Sequence, residues 1–169
     1  MNACGAARAR SPFSAAVLEV AIDEIGNGEA GRNNAGPDVA RYFDEPGRES
    51  AIGPWCAAFV SYCMEEAARR LGIECPIKRS HGAKQLFRNS TAITGIDLEP
   101  HETPRPGDLI LWQRGVPWSW QGHIGIVEAF EEGIAFTIEG NTGRYPARVR
   151  RLSHDTQNDS RLLGYAGIS

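Results

Sequence analysis

Pro106-Gly107-Asp108-Leu109-Ile110-Leu111-Trp112, followed by Gly122-His123-Ile124-Gly125-Ile126-Val127-Glu128, decides the fold class. These are short apolar runs opened by turn residues, and they mark a change of period at about Pro104. Beyond them Ile134–Glu139, Arg148–Leu152 and Leu162–Ala166 read as further strands. Glu132-Gly133, Gly140-Asn141-Thr142-Gly143 and Asn158-Asp159 supply the turns between them. Upstream the spacing is helical. Ser11-Pro12 is a cap followed by proline at the first helical position, and Val17, Leu18, Ala21, Ile22 and Ile25 recur until Gly26. Gly26–Gly36 is a Gly/Asn-rich loop. The spacing then predicts a short helix over Pro37–Phe43, a longer one from Pro54 to about Leu71 that stops at Gly72, and another over about His81–Arg88 starting from Ser80. Helices first and a meander of strands after predict an α+β fold, with N-terminal helices packed on a C-terminal antiparallel sheet.

Composition limits what such a chain does. Its 169 residues fit one domain, read as residues 14–169 behind a flexible N-terminus of residues 1–13. Lys+Arg 18 against Asp+Glu 21 gives a net charge of −3, too small a field to draw nucleic acid or an anionic membrane. No apolar run reaches the roughly 18–20 residues of a membrane span. Glu19, Asp23 and Glu24 break the stretch Ala15–Ile25, which therefore is no apolar core of a signal peptide, and synthesis in the cytoplasm is expected. Cys4, Cys56, Cys63 and Cys75 show neither zinc spacing nor a disulfide framework. Arg144, Arg148, Arg150 and Arg151 form a basic patch. Alternation with Ala147 and Val149 makes Arg148 and Arg150 the wet face of a strand rather than a nucleic-acid stripe.

The chemistry-bearing candidates begin with Gly53-Pro54-Trp55-Cys56-Ala57-Ala58-Phe59-Val60. Pro54 puts Cys56 in the first turn of a helix, where free N–H groups and the helix dipole favour a thiolate. Position alone fits a core cysteine equally well, since Phe59, Val60 and Cys63 follow on the same face. Cys63, mid-helix, reads as core; Cys75 has no explanation, and Cys4 reads as merely exposed. A nucleophile needs a base, and His123, flanked by glycines at a strand start, is placed where a cleft can reach it. His81, His101 and His154 sit in polar or loop contexts and read as solvated. A base needs an orienter. Glu139 and Asn141 stand two apart at a strand end, and Thr137 and Glu139 face away from Ile134, Phe136 and Ile138. Trp118 and Trp120 lie in the loop before His123; one is expected to line a sugar- or peptide-binding wall and one to pack into the core.

Taken in order, these motifs resemble the CHAP amidase family, within the NlpC/P60-like, papain-like peptidoglycan hydrolases. The resemblance runs from about Ala15 to Gly143 and includes Gly31-Arg32-Asn33-Asn34-Ala35-Gly36. It implies Cys56 as nucleophile, His123 as general base, Glu139 as orienting acid and Asn141 as a polar fourth member, with Trp55, Trp118 and Trp120 as substrate-binding candidates. The implied reaction is cleavage of an amide bond in peptidoglycan by a phage lysin or a secreted antibacterial effector. The acidic calcium loop of some members is missing, so neither metal nor cofactor is expected. The expected partner is the stem peptide of peptidoglycan, with no nucleic acid and no membrane insertion. The protein is expected to be a monomer acting at the wall or periplasm after release, with an inhibitor or delivery partner if it is an effector. Two other readings stay open: a non-catalytic wall- or partner-binding module, and a cysteine-dependent acyltransferase.

Overall fold

Helix α3 (Cys56–Leu71) is the axis of the fold. Every residue from Cys56 to Val60 is buried, as are Cys63, Met64 and Ala67, because the helix is covered on several sides. Helices α1 (Pro12–Asp23), α2 (Pro37–Tyr42) and α4 (Ala83–Thr94) pack against it, and its remaining face lies on the sheet. Alanines at 57, 58, 67 and 68 keep the helix thin enough for that company. Gly72, in the left-handed region at φ 68°, ends it. The computed structural model describes residues 7–47 and 53–169; Cys4 lies outside them.

Six strands form one antiparallel sheet: β1 (Asp97–Leu98), β2 (Leu109–Gln113), β3 (Gly122–Glu131), β4 (Ile134–Thr142), β5 (Arg148–Asp155) and β6 (Leu162–Ala166). Their spatial order is β1-β6-β2-β3-β4-β5. Ile124, Ile126 and Ile138 enter the large core shared with the helices. Ile110, Trp112, Val127, Ala135 and Tyr165 make a smaller cluster on the alternate positions. The chain is thus α+β, with the helices preceding an antiparallel sheet as its periodicity predicts.

Several boundaries differ from expectation, each for a local reason. Strand β1 is two residues long, too short to carry a period. Ser80 does not cap α4. Its Oγ accepts from the Gly82 N–H at 3.1 Å, turning the chain just ahead of the helix, which then continues to a left-handed Gly95. Residues 10–13, expected to belong to a flexible terminus, are tied down. Arg10 grips buried Asp108 with two hydrogen bonds of 2.8 and 2.9 Å. Ser11 and Ser14 form a reciprocal capping box, and Phe13 is buried. Gly107 permits this docking: a Cβ there would lie 2.3 Å from the Ser14 carbonyl oxygen.

Two members of the basic patch make structural contacts. Arg151 pairs with Glu128 through hydrogen bonds of 2.6 and 2.8 Å, and Arg148 donates to the Glu29 carbonyl. Ala147 and Val149 are buried beside them, as the alternation requires.

Candidate active site

Cys56 is the first residue of α3, so its sulfur sits among N–H groups that have no acceptor within the helix. Backbone N–H groups of Ala57 and, from β3, Ile124 favour the charged form of the sulfur. Cys56 shares one cleft with His123, the second residue of β3, and each of the two favours the charged form of the other. His123 Nε2 donates to Glu139 Oε2 at 2.7 Å, which leaves Nδ1 for the sulfur. The three side chains follow one another from helix start through strand start to strand end.

Two glycines make this line sterically feasible. A Cβ on Gly125 would stand 2.6 Å from Glu139 Cγ, so the empty position beside His123 is where the glutamate side chain passes. A Cβ on Gly140 would stand 2.8 Å from the Phe59 side chain, so β4 lies close against α3 only because residue 140 is glycine. Between Glu139 and Thr142 the register with β5 slips: Glu139 pairs Arg150 and Thr142 pairs Arg148. Asn141 takes φ 59° in that bulge and faces the cleft that holds Cys56 and His123.

Burial acts against charge on all three groups, and it is outweighed. Burial raises the Cys56 thiol, but the hydrogen bond and positive charge of His123 pull it below its ordinary value, with help from the two N–H groups. Burial lowers His123, but Cys56 and Glu139 hold it up at about 9. Burial raises Glu139, but hydrogen bonds from His123, His154 and Thr137 bring it down to about 2. The arrangement favours thiolate beside imidazolium, and the two titrate as a pair. Such an arrangement can serve chemically as a sulfur nucleophile, a proton carrier and a carboxylate that fixes the carrier.

The cleft has two lobes that share His123, Asn141 and Arg114. One, of about 660 Å³, runs over Cys56 between Phe43, His81 and Trp120. The other, of about 340 Å³, lies towards Glu139, His154 and Arg161.

The tryptophan expectations need correction. Trp55 is fully buried: its ring stacks on Tyr42 with centroids 5.5 Å apart, and its indole N–H donates to buried Glu29 at 3.2 Å. It shapes the approach to Cys56 from the inside and does not line the cleft. Neither Trp118 nor Trp120 packs into the core; they are 84% and 77% exposed. The loop is pinned by its polar groups instead, with Lys84 Nζ donating to Gln113 Oε1 at 2.6 Å and to the Ser119 carbonyl at 2.7 Å. Trp120 lines the lobe over Cys56, whereas Trp118 lines a neighbouring depression beside Lys84.

Two residues read as solvated belong to the site. His81 lies edge-on to Phe43 at 4.7 Å in the wall facing Cys56. His154 Nε2 donates to Glu139 Oε1 at 2.6 Å. Neither had a neighbouring motif to mark it. His154 required β5 to run to Asp155, beyond the strand that the apolar pattern suggests.

The other described thiols are placed differently. Cys63 is wholly buried, and burial pushes its thiol well above the ordinary value. Cys75 is half-buried, its thiol also raised by burial, and its Sγ donates to the Ile77 carbonyl at 3.4 Å. Iodoacetamide at pH 7 is therefore expected to alkylate Cys56 at least about tenfold faster than either, since the thiolate is the attacking species. Peptide mass mapping over a time course checks the order, and faster labelling of Cys75 would contradict it. Among the described residues no group of three or more His, Cys, Asp or Glu side chains is arranged to hold a metal ion, and no helix is long and apolar enough to cross a membrane.

Comparison with known proteins places the chain in a family. The CHAP domain matches residues 48–141, which span Cys56, His123, Glu139 and Asn141. Among solved structures, the crystal structure of Ly7917 is similar with a TM-score of 0.56 at 15% identity, over 92% of this chain and 62% of that one. The crystal structure of Ly7917 with the hydrolyzing product of MDP gives 0.54 at 14% identity over the same shares. The chain thus spans 62% of the length of the neighbour, and at such identity the likeness is one of fold. No match was found among curated proteins. The matched segment covers more than half of the chain, which therefore belongs to the CHAP domain family, a family of peptidoglycan amidases and peptidases.

Proposed function

We propose that this protein is a cysteine-dependent peptidoglycan hydrolase that cleaves an amide bond of the stem peptide. The observation that carries the reading is the line Cys56–His123–Glu139 set at a helix start inside a cleft. In the first step the Cys56 thiolate attacks the amide carbonyl, and N–H groups of the first helical turn, with Asn141 beside them, stabilise the oxyanion. His123 then gives its proton to the leaving amine, and a thioester remains. Water next loses a proton to His123 as it attacks, the thioester opens, and the thiolate returns. Glu139 holds the imidazole and balances its charge throughout.

The cleft suits a peptide that carries carboxylates on one side and a sugar or apolar group on the other. Phe43 and Trp120 line the lobe over Cys56, Arg161 stands at the second, and Arg114 lies between the two. Arg114 makes no side-chain hydrogen bond or ion pair among the described residues. The substrate places the protein's action at the bacterial wall, as a lysin or a delivered antibacterial effector. Digestion of purified sacculi, with mass analysis of the released fragments, tests the reading. New amine and carboxyl ends at one bond are expected; intact sacculi, or fragments whose new ends carry an acceptor other than water, would count against hydrolysis.

Gly125 offers a test that touches no reacting group. Gly125→Ala places a methyl in the path of the Glu139 side chain and is expected to lower turnover about tenfold or more, because small misplacements of catalytic groups are costly. Steady-state cleavage of a defined muropeptide reads the effect. An unchanged rate would mean that Glu139 can move without consequence for the reaction.

A further inference from the structure

Glu139 is held by two histidines from the strands on either side of it. His123 on β3 donates to Oε2 at 2.7 Å, and His154 on β5 donates to Oε1 at 2.6 Å. Thr137 Oγ1 also donates to Oε1, at 2.5 Å, but it belongs to β4, two residues from Glu139, and moves with it. Glu139 is 2% exposed, so water cannot replace a lost partner at low cost. The Trp112 ring lies beside both imidazoles, with centroids 5.7 Å from His123 and 4.7 Å from His154.

With Oε1 held by Thr137 alone, the carboxylate is anchored only to its own strand and can shift with β4 relative to His123. A donor from an independent strand ties the same oxygen to β5, so such a shift would break the bond to His154 as well as the one to His123. We infer that His154 is a positioning residue: by fixing one oxygen of Glu139 it keeps the other on His123 Nε2, and so keeps His123 Nδ1 aimed at the Cys56 sulfur. His154 acts through Glu139 and has no contact with the reacting atoms in this role. The inference rests on the reading of Cys56 and His123 as the working pair.

His154→Ala and His154→Gln, compared with the wild-type chain, test it through two readouts. Loss of the side chain lowers kcat about ten- to hundredfold and leaves KM within about twofold, because the defect is one of aim rather than of substrate contact. Alkylation of Cys56 by iodoacetamide at pH 7, which needs no substrate, slows about tenfold as the imidazolium partner loosens. His154→Gln keeps an N–H donor of similar reach and recovers most of both, which a role confined to stability would not predict. The glutamine variant also retains a partner for Glu139, so the test stands if the alanine variant folds poorly. A rise in KM with kcat preserved would make His154 a substrate contact and overturn the inference. A glutamine variant no better than alanine, or unchanged alkylation, would overturn it too. If wild-type Cys56 is not the preferred thiol, or Cys56→Ala still cleaves, the underlying reading fails instead.

Discussion

Cys56→Ala lowers peptidoglycan cleavage about 10⁴-fold or more and leaves the melting temperature within about 3 °C of wild type. The first half follows from the mechanism: every step passes through the sulfur, and the remaining members of a cooperating set do little without it. The second half follows from packing. Cys56 loses one atom at the wall of an open cleft, where the gap can fill with water, while the neighbouring Ala57, Phe59 and Val60 keep their contacts. His123 loses one of the two partners that keep it charged, so its ring titrates lower than in wild type. Its bond to Glu139 survives in the neutral tautomer with the proton on Nε2. Fragment release from sacculi and a thermal melt, run side by side, check both parts. More than about 1% residual cleavage with a folded protein would remove Cys56 from the mechanism.

The sequence showed this site in parts because local rules act on parts of it. Pro54, two residues ahead of Cys56, lies just before the helix start, and the glycines beside His123 leave room for a close approach whatever approaches. Glu139 and Asn141 followed from strand alternation, although the left-handed bulge that turns Asn141 towards the cleft is a matter of register with β5. What stayed hidden depends on contacts across the fold. Trp55 looks like a substrate platform beside the nucleophile, yet Glu29 and Tyr42, from earlier in the chain, draw it fully inside. Trp118 and Trp120 stay outside because Lys84 of α4 fixes the loop by its polar groups, and nothing in the loop's own composition announces that partner. His154 acquires its role only when β5 lies against β4: it pairs with Ala135 in register, and its ring reaches along the strands to the Glu139 oxygen that also accepts from Thr137.

Glu139→Gln is the sharper test of how the imidazole is held. The wild-type carboxylate accepts from three donors, His123, His154 and Thr137, with its two oxygens. An amide offers one oxygen and one NH₂. With the oxygen towards His123, the NH₂ meets His154 and Thr137, which must accept rather than donate; a ring and a hydroxyl can both do so. The variant is therefore expected to fold, unlike Glu139→Ala, which strands buried donors at a cost of about 3–5 kcal/mol. It can orient His123 but cannot balance its charge, so turnover falls about 10²-fold. The pH dependence separates orientation from charge. Wild-type His123 is held up at about 9, so the alkaline limb of kcat/KM lies near that pH. Without the carboxylate the imidazolium loses stabilisation, and the limb moves to lower pH. Stability behaves with the opposite sense. Glu139 is depressed from 4.5 to about 2, so its contribution is complete above pH 4.5 and is lost as the pH falls towards 2. The variant lacks that contribution at every pH, and the raised His123 contributes fully only below pH 6.5, so the gap in melting temperature between the two proteins is widest between pH 4.5 and 6.5 and narrows on either side. An alkaline limb that stays near pH 9 in Glu139→Gln would mean that Cys56 alone keeps His123 charged, and that Glu139 serves only to aim the ring.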